Sequence, residues 1–401
     1  MKILYIISVN GEGIGGHYYS LKSTVNLIQQ QNQCLVINIG QTKSPILSSM
    51  NVPVHNLIYK KGILSFLPIL KQLKKLITEE NPDIFHAFDK QSLFFGMLMS
   101  KNFKKPLIVT RCGGSNPILY PNVENLIVFS IENKQFFESK KIAKNIFFIP
   151  HRVFRPEQDS ERINKIRAQL RSGSKIFLRI SRISDLHKKS IIQSQNLIKK
   201  LNSDNVNAQL VIIGIIQNNE VYQDILVNSN ENILIFTGDK YTENASALID
   251  VAEFIIGTGR GFMEASSLKK IMLCPEQNSS IPLLITPENF DQAFSMNFSG
   301  RVLISNYDED ENYRRILDVI SDETSQSALK NFSADVSKKY FEIESQREIL
   351  QNIYKSLRYT NFIRSFDIII QAILTLKRNL ALERAETQPM VCEHNCEVKE
   401  I

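Results

Sequence analysis

Twice along this chain, short apolar runs alternate with helix-length amphipathic stretches, and a polar interval separates the two series. Parallel strands covered on both faces read as unbroken apolar runs, and each needs a crossover helix, so this rhythm predicts parallel α/β structure. In the first series strands are expected over 2–9, 34–39, 84–87, 107–110, 126–130 and 146–149. Between them Leu21, Val25 and Ile28 share one helix face, and Phe66, Leu70, Leu73 and Ile77 share another, with Lys71, Lys74 and Lys75 opposite. The pattern breaks over 150–174 and then restarts. Strands are expected over 176–180, 210–213, 233–236 and 254–256, with helices over 191–201, 245–251 and from Phe262 onward.

A chain of 401 residues, 43% of them hydrophobic, is long enough for two cores. The expected organisation is an α/β domain over 1–155, a linker over 156–174, a second α/β domain over 175–337, helices over 338–380 and a disordered tail over 381–401. Two such halves, each with a glycine turn, place a ligand in the cleft between them. The net charge of +7 suits a protein that meets phosphates, nucleotides or an acidic lipid surface. It is not the clustered charge of a nucleic-acid binder, and no nucleic acid is expected as a partner. Five cysteines without a pairing pattern point to a reducing cytoplasm. No apolar run approaches the ~18 residues of a spanning helix, and 2–9 is too short for a signal peptide. For the lysine-bearing helix and the amphipathic stretch near Ile368 to Ile373 two readings stand: peripheral membrane contact at the inner membrane face, or apolar faces docked on a core with the lysines in water.

Three motifs carry chemistry. Gly11-Glu12-Gly13-Ile14-Gly15-Gly16 follows the first strand and opens a helix, so its backbone admits phosphate or sugar oxygens at a helix N-terminus; a purely structural turn is the alternative. Arg182, with Lys188 and Lys189, follows a strand and suits a diphosphate, since a guanidinium binds two oxygens at once; the alternative is a solvated basic loop. Gly257-Thr258-Gly259-Arg260-Gly261 leads from a strand into a helix bearing Glu264. That carboxylate suits ribose hydroxyls, and helix capping in the first turn competes with that role.

In this order the motifs resemble the retaining GT-B glycosyltransferases of the glycogen-synthase-like group, family 4. The resemblance covers about residues 1–305. It includes Asn81 to Ala87, Ile149-Pro150-His151-Arg152, Ser181-Arg182-Ile183, Leu210 to Gly214, Phe236-Thr237-Gly238 and Gly259 to Ala265, with a further likeness at Thr286 to Phe290 and Asn297 to Arg301. It implies a GT-B fold of two facing Rossmann-like domains, with the last helices crossing back to the first. It further implies a metal-independent hexosyltransferase without a cofactor, acting with retention on a nucleotide-sugar donor and a glycan or lipid-linked acceptor. Arg182 and Lys188 or Lys189 would hold the diphosphate, Glu264 the ribose, and Gly257, Gly259, Arg260 and Gly261 the donor. Gly15 and Gly16 would close over the sugar. His86, Arg111 and His151 are the acceptor-side candidates, with a histidine satisfied within the core as the equal alternative for His86. The sequence departs from the family at Ile256, where a glutamate is usual, at Lys269 and Ile271, at Cys112 in place of a histidine, and at His151 in place of an asparagine. These departures motivate a second reading, a binding or scaffold protein with a decayed site. A nicotinamide-dependent oxidoreductase is a third, opposed by the uncharged end of the second strand, Ile39-Gly40-Gln41. Asp308-Glu309-Asp310 reads as an acidic helix start, and Cys392, His394 and Cys396 supply too few ligands for structural zinc.

Overall fold

The computed structural model describes residues 1–9, 13, 15–59 and 66–387, and in it the two series of apolar runs become two sheets. The first consists of β1 (Lys2–Ile7), β2 (Gln33–Gly40), β3 (Val54–Ile58), β4 (Ile84–Ala87), β5 (Leu107–Arg111), β6 (Val123–Val128) and β7 (Ala143–Phe148). Their order is β3-β2-β1-β4-β5-β6-β7, and every pairing is parallel. The connecting helices are α1 (Gly16–Ile28), α2 (Pro45–Ser48), α3 (Phe66–Glu80), α4 (Ser92–Phe103) and α5 (Ile131–Lys140). Alternation along β1 sends Ile3, Tyr5 and Ile7 to one core with Leu21, Val25 and Ile28 of α1. Leu4 and Ile6 go to the other, with Ile69, Leu73 and Ile77 of α3 and with Leu93 and Phe95 of α4.

The second sheet comprises β8 (Lys175–Ile180), β9 (Ala208–Ile213), β10 (Ile233–Phe236), β11 (Phe254–Ile256), β12 (Ile271–Cys274) and β13 (Leu283–Leu284). The order is β10-β9-β8-β11-β12-β13, antiparallel only at its last pair. Around it lie α6 (Ser160–Arg167), α7 (Asp185–Ser203), α8 (Asn219–Val227), α9 (Asp239–Thr242), α10 (Gly259–Ser267), α11 (Phe290–Ser295), α12 (Glu309–Ser321) and α13 (Glu323–Val336). Strand order reverses between β1 and β4 and again between β8 and β11, and such switch points open crevices at the carboxyl ends of the strands.

Several elements differ from the sequence expectation. The interval over 156–174 is not a free linker: it carries α6, whose Ile163 and Ile166 lie in the second core. Polar residues on its outer face hid that helix. The helix expected over 245–251 is a 3-10 helix. β3, β12 and β13 were not anticipated, because their short apolar runs lie against helical patterns. The stretch over 332–357 is broken between α13 and α14 (Arg347–Ser356) by a π-turn over Ser337–Phe341. The last helix, α15 (Ser365–Thr387), runs through the start of the expected disordered tail. The rest of that tail, with Cys392, His394 and Cys396, lies outside the described residues.

The chain returns to the first domain after α13. The outgoing and returning segments pair at Val153 and Glu342, and Val153 N donates to Phe341 O at 3.0 Å. Leu350, Ile353 and Tyr354 of α14 then enter the first core. There the Tyr354 hydroxyl lies 2.8 Å from His86 Nδ1 and 3.1 Å from the Tyr5 hydroxyl. Tyr354→Phe strips both groups of a buried partner and is expected to cost about 1–3 kcal/mol, read as a lower urea midpoint with unchanged slope.

Candidate functional site

The N-terminal turns of α1 and α10, one from each domain, meet across the seam. Neither helix has a side-chain cap or an acidic residue in its first turn, so no side chain offsets either positive dipole end; of their first-turn amides, Tyr18 N already donates to Gly15 O, Gly259 N to Asn297 O and Gly261 N to Thr258 O. Gly15 caps α1 in extended geometry, and Gly16 follows it, exposed. Gly13 is the remaining described member of that turn; Gly11, Glu12 and Ile14 lie outside the described residues.

On the α10 side the turn is built around glycine. A Cβ at Gly257 would sit 2.8 Å from Phe262 N and Cα, and Gly259 adopts φ +46° against Asn297. Asn297 O accepts from Gly259 N at 3.1 Å, and Phe298 stacks on Phe262 with ring centroids 3.6 Å apart. Those contacts set the direction in which α10 leaves the sheet.

Because α10 starts at Gly259, Glu264 falls in its second turn. First-turn capping therefore does not account for this carboxylate, which is buried. Glu264 Oε1 accepts from Arg260 Nε at 2.6 Å, and the Arg260 guanidinium lies 4.5 Å from the ring centroid of Tyr19 on α1. One Arg260 nitrogen, Nη1, is buried without a partner. Burial raises the Tyr19 pKa, and the neighbouring guanidinium opposes that rise. Further along the seam Arg301 forms a forked pair with Glu132 of α5, with Nη2 to Oε2 at 2.9 Å.

The three cations after β8 separate. Arg182 is exposed, with no hydrogen-bond or ion-pair partner among the described residues. Lys188 Nζ lies 2.5 Å from Asp224 Oδ2 on α8, a hydrogen bond that raises its pKa. Lys189 Nζ donates to Gln277 O beyond β12. In this arrangement the two lysines brace α7 against its neighbours, and only Arg182 is left unengaged.

The acceptor-side candidates also diverge. His86 is fully buried on β4, with Nε2 2.7 Å from Thr110 Oγ1, and it is a core histidine rather than a cleft group. Burial, then Arg152, pushes its pKa down to about 3. His151 is buried beside Ser20 Oγ, with its ring 4.1 Å from that of Phe129, and is lowered to about 3 by burial, Arg152 and Arg260. Arg111 is half-buried at the end of β5 over the Phe137 ring, and it donates to Ser115 O with Nε left unpartnered. Gly113 and Gly114 follow it in positive φ, with a Gly113 Cβ position 3.9 Å from Asn297 Nδ2.

Sequence reasoning missed Tyr19, Glu132 and Arg179. Arg179 is fully buried on β8 and donates from Nη1 to Ile256 O at 2.9 Å and from Nη2 to Ser190 Oγ at 2.8 Å. It thereby ties the end of β11, just before the glycine turn, to the start of α7. A cation inside an apolar run leaves no periodicity signal. Ile256 itself is buried among apolar residues of the second domain. Asp308 caps α12, accepting from Asp310 N at 2.9 Å and Glu311 N at 3.0 Å, as an acidic helix start requires. No cluster that could hold a metal ion occurs among the described residues.

Comparison with known proteins adds a fold and a partial family match. A family model described as Glycosyl transferase 4-like matches residues 2–145. Alr3699/HepE of Anabaena, solved in complex with UDP, is 14% identical, with 89% of this chain and 100% of that one covered at a TM-score of 0.67. A glycosyltransferase from Rickettsia africae is 13% identical over 88% and 97%, at 0.66. UDP-GlcNAc 2-epimerase from Neisseria meningitidis is 14% identical over 89% and 100%, at 0.56. No curated protein matches the sequence. The fold is GT-B, and at these identities the likeness speaks to the fold alone.

Two outcomes are expected. A methyl group at Gly257 meets backbone, so Gly257→Ala should cost about 1–3 kcal/mol, seen as a lower melting temperature. His86 and His151 have folded pKa values of about 3 against an ordinary 6.5. The unfolded chain therefore binds more protons in between, and their contribution is complete above 6.5 and is lost as pH falls towards 3. Stability should fall by up to about 1.4 kcal/mol per pH unit for each histidine across that window, and His151→Gln should flatten the urea-midpoint profile.

Proposed function

We propose that this protein is a nucleotide-sugar-dependent glycosyltransferase whose donor binds at the N-terminus of α10. One observation carries the reading: two uncapped helix N-termini from opposite domains converge beside Glu264, where amide donors and a carboxylate fit a sugar diphosphate and its ribose. In this reading the α10 amides and Arg182 receive the diphosphate, with Lys188 or Lys189 contributing if it leaves its present partner. Glu264 holds the ribose, and Gly15 and Gly16 close over the sugar. The bond between the anomeric carbon and the diphosphate breaks, a bond to the acceptor hydroxyl forms with retention, and the hydroxyl proton passes to the departing phosphate. Arginine and amide groups stabilise the leaving charge, so EDTA should leave turnover unchanged. The acceptor, a glycan or lipid-linked sugar, approaches from the Arg111 side.

A second reading, a binding protein with a decayed site, is favoured by two details: Ile256 is sunk in apolar packing, and Glu264 is already paired with Arg260. Thermal shift with saturating nucleotides separates the two readings. UDP comes first, because the Anabaena HepE structure is described in complex with UDP. A nucleotide at about 100 times its Kd adds about 2.7 kcal/mol. Arg182→Ala should then lower turnover by about 10²–10³ while preserving the melting temperature. A flat screen across UDP, GDP and ADP sugars would favour the decayed site, and full turnover in the arginine variant would remove the diphosphate assignment.

A further inference from the structure

Three buried guanidinium nitrogens without a hydrogen-bond partner, Arg111 Nε, Arg152 Nη1 and Arg260 Nη1, belong to one ring of contacts around the seam. From Arg260 the ring passes to Tyr19, 4.5 Å away, and on through the neighbouring Ser20, whose Oγ lies 3.2 Å from His151 Nδ1. Arg152 follows in sequence. Its Nη2 donates to Thr24 Oγ1 at 3.2 Å, and its guanidinium lies 6.0 Å from the Phe129 ring that His151 also contacts. In the other direction Gly259 N donates to Asn297 O, and Asn297 Nδ2 is 3.9 Å from the Cβ position of Gly113, two residues beyond Arg111. Cys112 closes the ring. Its thiol donates to Phe88 O at 3.6 Å; burial and then Asp89 raise its pKa, and Arg152 and Arg111 together oppose that rise.

Buried cations are tolerated when carboxylates or other acceptors use their donors. Here the acceptors run short. Arg111 donates to the Ser115 carbonyl and Arg152 to a hydroxyl, and neither has a carboxylate partner among the described residues. The carboxylates tied into the ring are already taken. Glu264 holds Arg260, Glu132 holds the Arg301 fork, and Asp89 accepts from the amides of Ser8, Gln91 and Ser92. Four guanidiniums, those of Arg111, Arg152, Arg260 and Arg301, therefore face three carboxylates, Asp89, Glu132 and Glu264, among the described residues. One positive charge is left over, and the two helix dipole ends add to it.

Arg111 and Arg260 are half-buried and within reach of a ligand, while the buried Arg152 contributes charge. Approach is open beside Arg111, because a Cβ at Gly113 would meet nothing within 4 Å except Asn297. In the reading given above, the sugar diphosphate is received by Arg182 and the α10 amides. What remains is one charge and forked donors, which a planar carboxylate matches and a phosphate dianion would exceed. We infer that this ring binds the carboxylate of an acidic sugar, a hexuronate. The inference deepens the glycosyltransferase reading and rests on it for the role of that sugar, which enters either as the acceptor residue or as the sugar of the donor.

The test is ligand-observed NMR titration of the full chain at neutral pH with matched methyl glycosides: glucuronate against glucose, galacturonate against galactose, and mannuronate against mannose. UDP-glucuronate against UDP-glucose forms a fourth pair. In at least one pair the acid should bind about 10–100-fold more tightly, the range of a charge-assisted hydrogen bond gained or lost. A preference among the free glycosides assigns the carboxylate to the acceptor, and one confined to the UDP-sugars assigns it to the donor. Arg111→Gln should erase the preference while leaving the nucleotide-induced thermal shift as in wild type. Arg111→Lys, which keeps the charge without the fork, should fall in between, and it carries the test if the glutamine variant does not fold. Because the glycosides are titrated without nucleotide, their result stands apart from the fate of the donor site. Equal binding of acid and neutral sugar in all four pairs would overturn the inference, as would a preference that survives in Arg111→Gln. Displacement of the uronate by inorganic pyrophosphate would overturn it too, by giving these guanidiniums to the diphosphate. So would a preference that appears only in Glu12→Gln, which would make Glu12 the counter-charge.

Discussion

The contact between Arg260 and Tyr19 is where the two domains become one site. Arg260 belongs to the first turn of α10 and Tyr19 to that of α1, so their stacking sets the distance between two helix N-termini. Glu264 holds the guanidinium from behind at 2.6 Å, and the Arg301–Glu132 fork is a second tie between the domains. A cation over an aromatic face is attracted more strongly where water is excluded, and Arg260 is only partly exposed. A ligand that recruits Glu264 must compete with Arg260 for it. In the proposed reading, donor binding and the hold between the domains are coupled through that one carboxylate.

Behind the seam, buried charge and polarity tie the scaffold together. Arg179 joins the end of β11 to α7 through Ile256 O and Ser190, without a carboxylate partner, and burial lowers its pKa to about 10. Such a cation is tolerated only where carbonyl and hydroxyl oxygens replace its lost hydration. In the first domain the Tyr5, Tyr354 and His86 cluster does comparable work, bonding the returning helix α14 to two central strands. Both networks lie near the carboxyl ends of strands, where backbone must be held in register for a glycine turn to present its N–H groups.

The departures from the family pattern take on physical meaning in this setting. Ile256 contributes to an apolar layer, so the isoleucine at this position serves packing. His151 is neutral and bonded to Ser20, so it acts as a buried spacer beside Arg152. Lys188 and Lys189 show that a basic motif near a strand end does not fix where each ammonium goes. Asp224 and the Gln277 carbonyl, both remote in sequence, decide that.

The amino-acid order by itself determined the two parallel sheets, because β-strands buried on both faces must be apolar throughout and their crossover helices must be amphipathic. It determined the glycine turns too: at Gly257 no other residue clears Phe262, and that need is visible wherever glycines cluster between a strand and a helix. It left open the start of α10, and with it the position of Glu264, because glycines can either open a helix or precede one. It gave no sign of Tyr19 and Glu132 as seam residues, and it showed the 361–376 stretch as amphipathic without saying which face would turn outward. Those depend on which surfaces meet across more than a hundred residues of chain. Only the tertiary structure decided that Asp367, Gln371 and Thr375 would find hydrogen-bond partners inside and leave Phe366, Ile369 and Ile373 facing out.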